Sequence, residues 1–148
     1  MRDDDGKASK ILLVDDDRSV VKALTDVLEG EGYAVVQAYD AFDAVQRFIA
    51  HHDFELVLLD LNLPDRSGWD AFESFTLLRR IVPVIVITAR PNQYEIANAA
   101  GVAALMEKPL DLPLLLETMA EVLAESAEER LARLTAHKPL TRYLTWTN

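Results

Sequence analysis

The chain has 148 residues, half of them hydrophobic, and no cysteine. That length suits one domain with some residues to spare, the apolar share is enough for a sizeable core, and disulfides and thiolate metal sites are excluded. Fifteen Lys and Arg stand against 25 Asp and Glu, a net charge of −10, the opposite of the basic footprint that direct binding of duplex DNA requires.

The opening residues, MRDDDGKASK, are polar and acidic and lack the apolar core of a signal peptide. The longest apolar run, Ile81 to Ala89, is interrupted by Pro83 and Thr88 and is too short to span a bilayer. A soluble cytoplasmic protein is the expectation, with residues 1–9 as a flexible tail and no membrane partner.

Lys10 to Asp15 reads as a first strand, rich in Leu and β-branched residues. Asp17 suits the N-cap of a helix whose apolar line is Val21, Leu24 and Leu28, closed near Gly30 and Gly32. Ala34 to Gln37 forms a short second strand, and Asp40 caps a second helix with Ala41, Val45, Phe48 and Ile49 as its stripe. Phe54 to Leu59 (FELVLL) and Val82 to Ile87 (VPVIVI) are nearly continuous apolar runs, which suit strands covered on both faces.

Between those runs come a loop, Leu61 to Gly68, and a helix carrying Trp69, Phe72 and Phe75. Pro91 fits the first turn of a fourth helix and Gly101 its end. Val102 to Met106 is a fifth strand, and from Asp111 a fifth helix presents Leu112, Leu115, Leu116, Met119 and Leu123. Ala127, Leu131 and Leu134 continue an apolar line, so this helix is expected to run on to about Thr135. The last residues, HKPLTRYLTWTN, hold two aromatics, no acid, and too little chain for an output domain.

Strand and helix alternate five times, the pattern of an α/β doubly wound, five-stranded parallel sheet with helices on both faces. Right-handed crossovers bring every strand's C-terminal end to one edge, where ligands bind. The residues at that edge are Asp15 and Asp16, Asp60, Thr88 and Lys108. Taken singly, each has an ordinary explanation: a solvated acidic turn, a residue before Pro64, a β-former, a surface lysine. Their coincidence on consecutive strand ends favours a single pocket of three carboxylates, a hydroxyl and an ammonium. Three carboxylates in one cleft repel one another. A hard cation with oxygen ligands offsets this, and Mg²⁺, which keeps waters and usually meets phosphate, is the expected one. Asp60, central in the sheet, is then placed as a nucleophile for phosphoryl transfer, a reaction that needs mainly positioning and charge neutralisation.

On the motifs ILLVDDD, LVLLDLNLPDRSGWD, VIVITA and the KP of ALMEKP, residues 10–124 resemble the receiver domain of bacterial two-component response regulators. The resemblance implies a flavodoxin-like receiver fold with strand order 2-1-3-4-5. It makes Asp60 the phosphoacceptor for a histidine kinase or phosphotransfer protein. Asp16 would ligate Mg²⁺ directly, Asp15 through water and Asn62 through its backbone carbonyl. Lys108 would bridge to the phosphoryl group, Thr88 would move toward it, and the Lys108–Pro109 peptide would be cis. The position three before the lysine is usually an aromatic that follows the Thr; here it is Leu105, so the switch must use Leu105 differently or leave by another route. Arg90 and Asn62, each two residues past a site residue, flank the approach of hydrolytic water and are expected to set the lifetime of the modified state. Such a protein catalyses only its own phosphotransfer and slow dephosphorylation.

A phosphatase of the haloacid dehalogenase class would want a second Asp where Asn62 stands and would place its acid pair after the lysine. A flavin module would want Gly, Ser or Thr in the turn occupied by DDDRSV. A receiver-like interaction module that is never phosphorylated is the remaining alternative. Residues 125–148 read as a helical extension or linker. Downstream, the candidates are a partner protein, an output domain in a longer chain, or a second copy paired through the extended helix, although Ser126 and Arg130 interrupt a strict heptad.

Overall fold

The computed structural model describes residues 8–79, 81–135 and 141–144. In chain order the elements are β1 (Lys10–Val14), α1 (Arg18–Gly30), β2 (Ala34–Ala38), α2 (Ala41–Ala50), β3 (Phe54–Asp60), α3 (Gly68–Arg79), β4 (Val84–Thr88), α4 (Tyr94–Ala100), β5 (Ala104–Glu107), α5 (Leu112–Leu123), α6 (Ala127–Thr135) and β6 (Arg142–Leu144). All strands are parallel, in the order β2-β1-β3-β4-β5-β6.

The continuous apolar runs are explained by burial on both faces. Alternate residues of β1 go to opposite sides: Leu12 and Val14 join Phe48, Phe75 and Ala97 beneath α2, α3 and α4. Ile11 and Leu13 join Val21, Leu28, Leu115 and Met119 beneath α1 and α5. A strand with only one covered face would alternate apolar with polar. The acidic caps close the helices as read from the sequence. Asp17 accepts from the Ser19 and Val20 N–H groups at 3.0 and 3.2 Å, and Asp40 accepts from Asp43 N–H at 2.6 Å. Gly101 ends α4 at φ 82°, the left-handed conformation that glycine adopts without a Cβ penalty.

Four expectations are corrected. The sheet has six strands rather than five, because Arg142–Leu144 adds outside β5. The fifth helix does not run to Thr135. It stops at Leu123, and a separate helix, α6, begins at Ala127. Ser126 Oγ accepts from the Glu129 N–H at 3.1 Å and donates to the Glu129 carboxylate at 3.3 Å, a side-chain N-cap that starts a new helix. In a straight helix residues 125 and 133 would be about 12 Å apart along the axis. The break brings Arg133 Nη1 to 2.6 Å from Glu125 Oε2, with both side chains buried.

The third correction is that α4 begins at Tyr94, not around Pro91, because Asn92 has φ 60° and interrupts any helical turn there. In α2 the buried face is Ala41, Ala44 and Phe48, while Ile49 points to solvent. Trp146 and residues 1–7 of the expected tail at 1–9 lie outside the described residues, while Ser9 is buried and its carbonyl accepts from Ala34 N–H at 2.9 Å.

Candidate functional site

The C-terminal edge of the sheet gathers the predicted residues through local backbone bonds. Asp15 follows β1 directly, its N–H donating to Ala38 O at 3.1 Å. Its Oδ1 accepts from Asp17 N–H at 2.9 Å, which fixes the carboxylate's orientation while Asp17 turns to cap α1. Asp60 ends β3 and is buried. Its Oδ1 accepts from Asn62 N–H at 2.9 Å and its Oδ2 from Lys108 Nζ at 3.0 Å. The same ammonium lies 3.6 Å from Asp15 Oδ2.

Lys108 follows β5 directly and is tied to β4, its N–H donating to Thr88 O at 2.8 Å. The Lys108–Pro109 peptide is cis. Thr88 is fully buried, and its Oγ1 accepts from Arg90 N–H at 2.9 Å. Asp16 stands exposed at the rim. Carboxylate oxygens of Asp15, Asp16 and Asp60 lie within 4.8 Å of one another. Ligands of a six-coordinate Mg²⁺ lie about 3 Å apart when adjacent and about 4.2 Å when opposite, so these three hard oxygen donors are of the right kind for such an ion and would draw closer to ligate it.

The electrostatics bear out the need for positive charge. Burial raises the Asp15 carboxyl above its ordinary value and the Asp60 and Asp16 charges add to this, while the Asp17 N–H and the Lys108 charge work against them. For Lys108, burial by itself would lower the ammonium. The hydrogen bond to Asp60 and the charges of Asp60 and Asp15 outweigh it and leave its pKa raised.

The loop after Asp60 has a tighter construction than its sequence suggested. Asn62 and Ser67 form an antiparallel bridge, and Gly68 N–H donates to Leu61 O at 2.9 Å. A Cβ on Gly68 would sit 2.6 Å from both Asp60 O and Leu61 Cα, so only glycine permits this approach. Asp65, not anticipated from the sequence, accepts from the N-terminal Ala41 and Phe42 N–H groups of α2 at 2.9 and 3.0 Å. It ties the loop to that helix.

Asn62 and Arg90 are both exposed beside the site. Leu105 is buried among the residues under α3 and α4 and pairs in register with Val86 and Tyr143. It is therefore at one strand remove from the carboxylates.

Residues 11–120 match the family model described as the response regulator receiver domain. The chain belongs to that family. This receiver is 33% identical over 120 residues to the transcriptional regulatory protein ZraR of Salmonella typhimurium, a match covering 80% of this chain and 27% of ZraR. The shared part is thus about a quarter of that regulator's length. Among solved structures it resembles a CheY-like receiver domain protein from Methanospirillum hungatei (TM-score 0.73, 31% identity, 84% of this chain and 98% of that one). It also resembles a chain of the CheX–CheY–BeF3–Mg²⁺ complex from Borrelia burgdorferi (TM-score 0.77, 26% identity, 82% and 94% covered). Among the described residues no helix is long and apolar enough to cross a membrane.

Proposed function

We propose that Asp60 accepts a phosphoryl group from the phosphohistidine of a sensor kinase or phosphotransfer protein, and that the modified receiver changes its binding to a downstream partner or output domain. The observation that carries this reading is the Lys108 ammonium 3.0 Å from Asp60 Oδ2, beside an acid pair that shares the pocket. Asp60 would attack phosphorus through one carboxylate oxygen. The P–N bond of the donor breaks, its electron pair stays on the imidazole nitrogen, and that nitrogen takes a proton. Lys108 holds the acceptor carboxylate in place and then faces a phosphoryl oxygen, while the Thr88 hydroxyl turns from Arg90 N–H toward another.

Asp15, Asp16, Asp60 and the Asn62 carbonyl would hold Mg²⁺, which when bound supplies the positive charge that lets an anionic phosphate enter a carboxylate cluster. Burial of Asp15 and Asp60 supports this, because two buried carboxylates with one lysine remain short of neutralising charge. Arg90 and Asn62 flank the modified carboxylate and set how readily water reaches it. The net charge of −10 favours partners other than bare DNA.

Intact-mass measurement after incubation with Mg²⁺ and a small phosphodonor tests the core of this reading. One phosphoryl adduct is expected in the wild type and none in Asp60→Asn. No adduct from a small donor or from any of several kinases would overturn it.

A further inference from the structure

The sixth strand touches the two elements that lead out of the site. Arg142 N–H donates to Ala103 O at 3.2 Å, and Leu105 and Met106 of β5 pair with Tyr143 and Leu144. Thr141, just before the strand, is buried. Its Oγ1 donates to Val102 O at 2.7 Å, and its carbonyl accepts from Tyr94 O–H at 3.3 Å. The Tyr143 ring meets the Tyr94 ring edge-on with centroids 4.9 Å apart, and its hydroxyl donates to the Glu107 carboxylate. Tyr94 is the first residue of α4, reached by the loop whose Arg90 N–H binds Thr88 Oγ1. Glu107 pairs in register with Thr88 and directly precedes Lys108.

We propose that residues 141–144 are a strap that covers the β5 edge and the start of α4 while Asp60 is unmodified, and that phosphorylation of Asp60 loosens it. The inference rests on the receiver reading above. A phosphoryl group on Asp60 carries nearly two negative charges in place of the single charge of the carboxylate, and sets them between the Lys108 ammonium and the Thr88 hydroxyl. Once that hydroxyl turns to a phosphoryl oxygen, the Arg90 N–H loses its present acceptor geometry and the loop to Tyr94 can shift. Tyr94 supplies two of the strap's holds, the ring contact and the bond to Thr141 O.

The strap is suited to give way first. It is a three-residue edge strand with Tyr143 exposed, a low-stability element compared with the buried strands beside it. The Arg142 guanidinium shares Glu125 with Arg133, at 3.0 and 2.6 Å, so a loosened strap stays tethered and can return. Its departure uncovers the β5 edge, whose unpaired backbone groups are open to an incoming chain.

Hydrogen exchange of the Arg142–Leu144 amides, resolved by NMR in the full chain with and without Mg²⁺ and a small phosphodonor, tests the strap. Intact mass is read on the same samples. With the adduct present, exchange of the segment is expected to quicken at least about fivefold, the lower range of coupling between sites. Reciprocally, Tyr143→Ala is expected to bind beryllofluoride with Mg²⁺ about fivefold more tightly than the wild type. An adduct with unchanged exchange overturns the strap and leaves the receiver reading standing. Absence of any adduct overturns both.

Discussion

Asp15→Asn isolates the charge of one carboxylate. The asparagine carbonyl can still accept the Asp17 N–H that Asp15 Oδ1 accepts at 2.9 Å, so the turn into α1 keeps its geometry. At an effective dielectric of about 20, the Asp15–Asp60 repulsion within 4.8 Å is at least about 3.5 kcal/mol, and the Lys108 attraction at 3.6 Å is about 4.6 kcal/mol. The exposed Asp16 adds roughly 1 kcal/mol of screened repulsion. These contributions cancel to within about 1 kcal/mol, and the desolvation of a buried carboxylate is left to decide the sign. Without divalent cations Asp15→Asn is therefore expected to be more stable than the wild type by about 1 to 2 kcal/mol.

Magnesium should reverse the order. A ligand at 100 times its Kd stabilises the state that binds it by about 2.7 kcal/mol, which for a domain of this size is roughly 5 to 10 °C in Tm. The wild type should gain that increment and Asp15→Asn should gain little. Urea melts of both proteins in EDTA and in saturating Mg²⁺ would show the crossing. A variant less stable than the wild type in EDTA, or one that gains as much from Mg²⁺, would refute the reasoning.

Three further perturbations test other parts of the molecule. Glu125 is buried, yet its hydrogen bonds and ion pairs with Arg133 and Arg142 outweigh that burial and lower its pKa below the ordinary 4.5. Its stabilisation is therefore full above pH 4.5 and lost as pH falls through the lowered value. Glu125→Gln should lose about 3 to 5 kcal/mol at pH 7, and its urea midpoint should converge on the wild type's in acid. Gly68→Ala drives a Cβ against backbone atoms of Asp60 and Leu61, so a loss of about 1 to 3 kcal/mol and slower phosphoryl uptake by intact mass are expected. In Arg90→Ala and Asn62→Ala the phosphorylated protein should change its half-life severalfold, as measured by loss of the adduct with time; unchanged rates in both would remove these residues from that role.

The site was legible because its chemistry sits at strand ends. A short apolar run followed by Asp, Thr or Lys can be read from a single strand, and parallel topology alone brings such ends together. The second half of the story was less legible. Ser126 and Glu129 hold a capping-box spacing, a local signal that outweighs the apolar line of Ala127, Leu131 and Leu134. The run around Arg142–Leu144 has the β-forming composition of a strand, but three residues are too few for a periodic pattern to declare itself.

By itself, the sequence determined the doubly wound core, the caps at Asp17 and Asp40, and the gathering of Asp15, Asp16, Asp60, Thr88 and Lys108, since each follows from hydrophobic pattern and short-range spacing. Only the tertiary structure decided where the last described residues go. Glu125, Arg133 and Arg142 are separated by 8 and 17 residues, counted from Glu125, and nothing local signals that they share one buried ion network. A charged residue reads from sequence as solvent-facing. Its burial depends on finding an opposite charge across the fold, and that meeting is settled by packing.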